Sequence, residues 1–129
     1  KERYERISQT VEERLLQSNH DCSDGGLAAA LAESAFAGRL GLSITLDKVN
    51  EKAGLRPDIL LFSESQSRFV ISVKNENRER FEEIMKGDDI FLIGEVTPHP
   101  SLLIQLNRRT LLEENVSTLC DSWKKTLGT

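Results

Sequence analysis

The chain has 129 residues, of which 38% are apolar and 29% charged, and a formal net charge of −4 from 17 basic and 21 acidic side chains. That length suits one domain over residues 1–129 with one modest core, and the absence of basic runs and of aromatic–basic interleaving argues against a nucleic-acid surface. No apolar run approaches the roughly 20 residues of a membrane-spanning helix and no signal-peptide pattern opens the chain, so the expectation is a cytoplasmic protein without membrane association, its two cysteines, Cys22 and Cys120, reduced.

The first residue is Lys1, which is compatible with a piece of a longer polypeptide. Residues 2–18 carry Tyr4, Ile7, Val11 and Leu15 at helical spacing among Glu and Arg, and predict an amphipathic covering helix. Asn19 to Cys22 reads as a short extended segment. A helix is expected over Asp24–Ala37, with Leu27, Leu31 and Ala35 on one stripe, Ala28, Ala32 and Phe36 beside it, and Gly38 as its stop. Leu42–Leu46 alternates as a half-buried strand. Residues 47–58 are polar and read as turns, followed by the apolar step Ile59–Phe62 and the polar run "SESQSR" at 63–68. Phe69–Val73 predicts a strand, and residues 76–86 a helix capped by Asn75 with Phe81, Ile84 and Met85 inward. After a turn at Gly87–Asp89, strands are expected at Ile90–Ile93 and Leu102–Leu106, with a reversal at Pro98-His99-Pro100 between them. A last helix carries Val116, Leu119, Cys120, Trp123 and Leu127 on one face, with Asn115 as its cap. This order predicts an α+β layered sandwich, a mixed β-sheet covered by helices.

Two stretches can carry chemistry. In "DCSDGGL", residues 21–27, a strand end, a glycine turn and a helix start come together. The first N–H groups of a helix lack internal partners and its dipole makes that end positive, which suits phosphate. Gly25 and Gly26 remove Cβ atoms from the approach. Asp21 and Asp24 repel a bare phosphate but hold Mg²⁺, which bridges carboxylate to phosphate. The plainer alternative is a tight turn capped by Ser23 or Asp24. The stretch is neither a P-loop nor a dinucleotide fingerprint, since the glycine spacing differs and no Gly-Lys-Ser/Thr follows. In "SESQSR", Glu64, Gln66 and Arg68 can line a polar pocket, or the run is a solvated loop before a strand. His20 adjoins Asp21 and His99 lies between two prolines, and neither identifies a general base.

Taken together, "HDCSDGGLAAALAESAFAGRLGLSI", "LFSESQSRFVISV", "IGEV" and "SWKKTLG" resemble the last domain of phosphoribosylformylglycinamidine synthase, in order from about residue 19 to the end. "SESQSRF" about forty residues after Asp-x-x-x-Gly-Gly-Leu is the specific part. The glycine turn alone fits a wider superfamily that includes aminoimidazole ribonucleotide synthetase. The resemblance implies a C-terminal-type domain, partly ferredoxin-like, within a longer chain holding two tandem copies of an N-terminal plus C-terminal domain pair. It implies an ATP- and Mg²⁺-dependent carbon–nitrogen ligase of purine biosynthesis. Formylglycinamide ribonucleotide would be activated as an iminophosphate and aminated by ammonia from a glutaminase. The expected partners are the upstream nucleotide-binding domains, the glutaminase subunit and the ribonucleotide substrate. The ending "WKKTLGT" suggests that the glutaminase is a separate chain.

Residue by residue, the resemblance makes Asp21 a metal ligand and Glu64, Ser65 and Gln66 substrate-contacting, and Ser23, Asp24, Gly25 and Gly26 join them as candidate substrate- or nucleotide-binding residues. This chain is similar to the second copy of the domain, whose pocket is not the main reaction centre and in large versions of the enzyme holds a structural nucleotide. Ser23, Asp24 and Gly25 depart from the first copy, which leaves three alternatives for Asp21 and the Glu-Ser-Gln run: a working, a structural or an empty site. The isolated domain is expected to be inactive, with no catalytic residue of its own and no obligatory cofactor bound. Alternatives are a structural or interaction module, a related ATP-dependent enzyme, and a free-standing ligand-binding regulator.

Overall fold

The computed structural model describes residues 2–22, 25–38, 40–63 and 68–126. In chain order the elements are α1 (Glu2–Glu12), β1 (Leu16–Asp21), α2 (Gly26–Gly38), β2 (Gly41–Thr45), α3 (Asp47–Ala53), α4 (Pro57–Phe62), β3 (Phe69–Val73), a 3-10 turn (Asn75–Asn77) running into α5 (Arg78–Ile84), β4 (Gly94–Thr97), β5 (Ser101–Leu106), β6 (Arg109–Asn115) and α6 (Val116–Thr126). The α+β class and the helix-covered mixed sheet are as expected, but the described strands divide between two sheets. β1 and β3 form an antiparallel pair, and β4-β2-β5-β6 form a four-stranded sheet in which only β2 and β5 run parallel.

The core lies around α2. Leu27, Ala30, Leu31 and Ala35 pack with Leu42, Ile44 and Leu46, with Leu60 and Leu61 of α4, with Leu102, Ile104 and Leu106 of β5, and with Val116 of α6. The helix also contacts β1 and β3, so it links the small sheet to the large one. Its alanines explain the position: they favour the helix, and their short side chains let neighbouring elements approach on several sides.

Four expectations are corrected. The first helix ends at Glu12, not near residue 18, and residues 16–21 are strand. Arg14 takes a left-handed φ of 58°, the Leu15 N–H bonds Thr10 O at 3.1 Å and the Arg14 N–H bonds Val11 O at 3.0 Å. That is a Schellman ending built on arginine rather than glycine, so no breaker marked it in the sequence. The buried face is Ile7 and Thr10, while Tyr4 and Val11 are half-exposed.

Residues 47–58 are largely helical rather than turns. Gly54 caps α3 at φ 61°, its N–H bonding Asn50 O at 2.8 Å, and Pro57 opens α4. These residues bound short helices, the role in which Gly and Pro also read as turn signals.

The strand expected at Ile90–Ile93 is displaced to Gly94–Thr97, which leaves Ile90, Phe91 and Leu92 exposed. Gly94 lies opposite Ile44, and a Cβ there would strike Ser43 O, so only glycine lets β4 close on β2.

β6 was not expected at all. It is polar, and it joins β5 through Asn107-Arg108, both left-handed at φ 50° and 64°. Two left-handed residues make the tight hairpin turn whose usual sequence mark is Asn-Gly, and Arg108 conceals it. As an outer strand, β6 carries Arg109, Glu113 and Glu114, charges that discourage edge-to-edge pairing.

Smaller expectations divide. Ile84 and Met85 are buried, with Phe81 half-buried. Asn75 makes no cap, because the 3-10 turn precedes α5 and Asn77 in the N-cap position forms no side-chain bond. Asn115 does cap α6, its Oδ1 accepting from Ser117 N at 2.8 Å. Leu127 and the side chain of Trp123 lie outside the described residues.

Candidate functional site

The site begins where β1 ends. β1 and β3 pair antiparallel with Asp21 opposite Phe69 and His20 opposite Val70. The pairing continues one step further, where the Cys22 N–H donates to Arg68 O at 2.9 Å. The strand leading into the glycine turn and the strand leaving residues 64–67 therefore end side by side. The alternation that sends Cys22 inward leaves Asp21 exposed.

The other flank closes through Gly26. It is buried at the first position of α2 with φ 75°, and a Cβ built on it would lie 2.8 Å from Leu61 O and 2.9 Å from Ser63 O. The end of α4, which leads into residue 64, thus rests on the glycine turn. Gly25, with φ 79°, is exposed. Both glycines need the left-handed region that side-chain-bearing residues avoid.

Among the sequence-predicted site residues, Asp21, Gly25 and Gly26 gather at this sheet end. Ser23, Asp24, Glu64, Ser65 and Gln66 lie outside the described residues, but their described neighbours on both sides meet. The part of α4 in this juxtaposition was not foreseen. Pro57 was the available signal, as a first-turn proline before the apolar run that ends at Ser63.

The surrounding chemistry is simple. Cys22 is only 1% exposed and belongs to the core. Burial pushes its thiol pKa up, the nearby Arg68 charge opposes this and the Asp21 carboxylate adds to it, so the sulfur is a packing atom rather than a nucleophile. Neither Cys22 nor Cys120 is in a disulfide. His20 Nδ1 lies 3.6 Å from Glu33 Oε2 and links β1 to α2. His99 is exposed, as its position between prolines implies.

Among the described residues no three His, Cys, Asp or Glu side chains converge as a metal cage. Asp21 is an exposed carboxylate at the mouth of the glycine turn, the kind of group that Mg²⁺ takes together with waters and phosphate oxygens. No helix among the described residues is long and apolar enough to cross a membrane.

Residues 1–107 match the family model for the AIR synthase related protein, C-terminal domain. The chain is 39% identical over 123 residues to the phosphoribosylformylglycinamidine synthase subunit PurL of Moorella thermoacetica, covering 94% of this chain and 16% of that protein. Among solved structures it is similar to Thermotoga maritima PurL complexed with FGAR, at 27% identity and a TM-score of 0.77 over 92% of this chain and 20% of that one. It is similar to the same protein complexed with ATP, at 25% identity and a TM-score of 0.76 over 92% and 21%. The structure of PurLQS from Thermotoga maritima matches at 27% identity and a TM-score of 0.77, again over 92% and 21%. The chain thus spans about a sixth of the curated relative and about a fifth of these structures.

Proposed function

The chain belongs to the AIR synthase related protein, C-terminal domain family, and from that premise we propose that it is one domain of a phosphoribosylformylglycinamidine synthase. The parent activity would be the ATP-dependent conversion of formylglycinamide ribonucleotide and glutamine-derived ammonia to the amidine, in the cytoplasm, during purine biosynthesis. The similarity to PurL chains, one solved with FGAR and another with ATP, supports this reading. The PurLQS structure supports a multi-protein assembly, within which a glutaminase subunit is the expected ammonia source.

The observation that carries the site is the juxtaposition at the end of the small sheet. Asp21 and Cys22 lie beside Arg68 and Phe69, and Gly26 lies against the end of α4. One ligand site would then use both polar stretches. Asp21 would hold Mg²⁺, Ser23, Asp24 and Gly25 would face the nucleotide phosphates in front of the buried Gly26, and Glu64, Ser65 and Gln66 would bond the ligand's polar groups. Bound ATP with Mg²⁺ supplies a phosphoryl group to the parent reaction. The residues of this chain bind and orient, because no described side chain here combines a nucleophile with a base.

Titration of the isotope-labelled chain with Mg·ADP and with formylglycinamide ribonucleotide tests the proposal. Saturable amide shifts at Asp21, Gly25 and Arg68 are expected, with affinity for Mg·ADP reduced about tenfold or more in Asp21→Asn. Silence at these amides in the full-length protein as well would reduce the domain to a scaffold.

A further inference from the structure

We infer that Gly26 is a positioning residue: its bare α-carbon seats the end of α4 and thereby fixes where the chain enters residues 64–67. The functional meaning of this rests on the ligand site proposed above, while its physical content rests on backbone geometry alone.

Gly25 and Gly26 share one backbone conformation, φ 79° and 75°, but not one environment. Gly25 is exposed, and a Cβ there would meet the Ala29 side chain at 2.7 Å. Gly26 is buried, and a Cβ there would lie 2.8 Å from Leu61 O, 2.8 Å from the Phe62 carbonyl carbon and 2.9 Å from Ser63 O. These are main-chain atoms of a single turn, so no rotamer change moves them aside. Nor is the turn free to retreat. Leu60 and Leu61 anchor it in the core at 0% and 6% exposure, and the Ser63 N–H bonds Ile59 O at 2.9 Å.

Downstream, the Cys22–Arg68 hydrogen bond ties the exit from residues 64–67 to the same neighbourhood. That tie is backbone to backbone, so it responds to displacement of the backbone around the glycine turn. The entry depends on residue 26 having no side chain. The two glycines therefore divide the work. Gly25 lies at the surface, and the space beside the Gly26 α-carbon is taken by the protein itself.

The test compares Gly25→Ala with Gly26→Ala in the full-length protein that carries this chain. Both variants place an L side chain in the left-handed region, so that strain is common to the pair. The readouts are backbone amide exchange and calorimetric affinity for Mg·ADP. Gly26→Ala is expected to speed exchange at Cys22 and Ser63 about tenfold or more beyond Gly25→Ala, and to weaken Mg·ADP binding about tenfold or more relative to the unaltered protein.

Equal exchange at Cys22 and Ser63 in the two variants, or unaltered Mg·ADP affinity in Gly26→Ala, overturns the proposal. If Gly26→Ala does not fold, Leu61→Ala keeps Gly26 and loosens the same turn from its core side. The same two changes are then expected, and their absence overturns the role. If the unaltered protein itself binds no Mg·ADP, the ligand-site reading fails, while the exchange comparison still decides the positioning role.

Discussion

Leu31 shows how single residues set the stability of this chain. It is fully buried at the middle of α2, where the helix meets both sheets and α4. Leu31→Ala removes buried methyl groups and leaves a space that elements anchored on several sides cannot close. A loss of about 2–5 kcal/mol is expected from urea unfolding of the chain, toward the upper end because the site cannot collapse. The helical spacing of Leu27, Leu31 and Ala35 made this face readable from the sequence. The reasons for glycine at positions 26, 41 and 94 were not readable. Each lies against backbone from a distant part of the chain: α4 for Gly26, His99 and Ser101 for Gly41, and Ser43 for Gly94.

At the scale of elements, α1 is held by charge as well as by Ile7. The Asp88 carboxylate accepts from Arg6 Nη1 at 2.8 Å and from Arg3 Nε at 3.3 Å, and Arg80 makes a two-point contact to Glu13 at 2.8 and 2.9 Å. The Arg6 hydrogen bond, against some desolvation and with help from Arg3, holds the Asp88 carboxyl below the usual carboxylate range. Arg80 does the same for Glu13, followed by Gln9. A carboxylate with a depressed folded pKa contributes stability that is fully present above its unfolded value. That contribution is lost as pH falls through the folded value. The clamp is therefore expected to be constant at neutral pH and to weaken below about pH 4. Asp88→Asn should flatten the fall in urea midpoint on acidification. A slope identical to that of the unaltered chain would mean the Asp88 pairs are too well solvated to matter.

Across the whole molecule, a chain covering 16% of a curated PurL relative is expected to be a component rather than a complete catalyst. With Mg·ATP, formylglycinamide ribonucleotide and ammonia, the isolated chain is expected to give no amidine above background. Turnover by the chain alone would contradict its proposed role as a binding domain. The large sheet has a parallel β2–β5 pair at its centre, which requires a long crossover, and α3, α4, the small sheet's β3 and α5 all lie within it. That arrangement brings the end of α4 and the start of β3 back to the glycine turn. The sequence order of the two polar stretches could not show that they adjoin.

The sequence by itself determined what depends on local pattern. The α+β class, the alanine-rich helix, the strands at β2, β3 and β5, the Asn115 cap and the two polar stretches all follow from periodicity, propensity and turn chemistry within about ten residues. The family resemblance added an expected ligand class. The tertiary structure decided what periodicity and turn chemistry left unmarked. It ended α1 at an arginine in the left-handed region and turned residues 47–62 largely into helix. It moved β4 past an exposed apolar run, added a polar outer strand and set the ends of the two polar stretches together. The physical reason is the range of the forces involved. Propensity and periodicity act along a few turns of chain, whereas the β1–β3 and β2–β4 pairings and backbone-on-backbone packing are fixed only when segments more than thirty residues apart meet, as Gly26 meets Leu61 and Ser63.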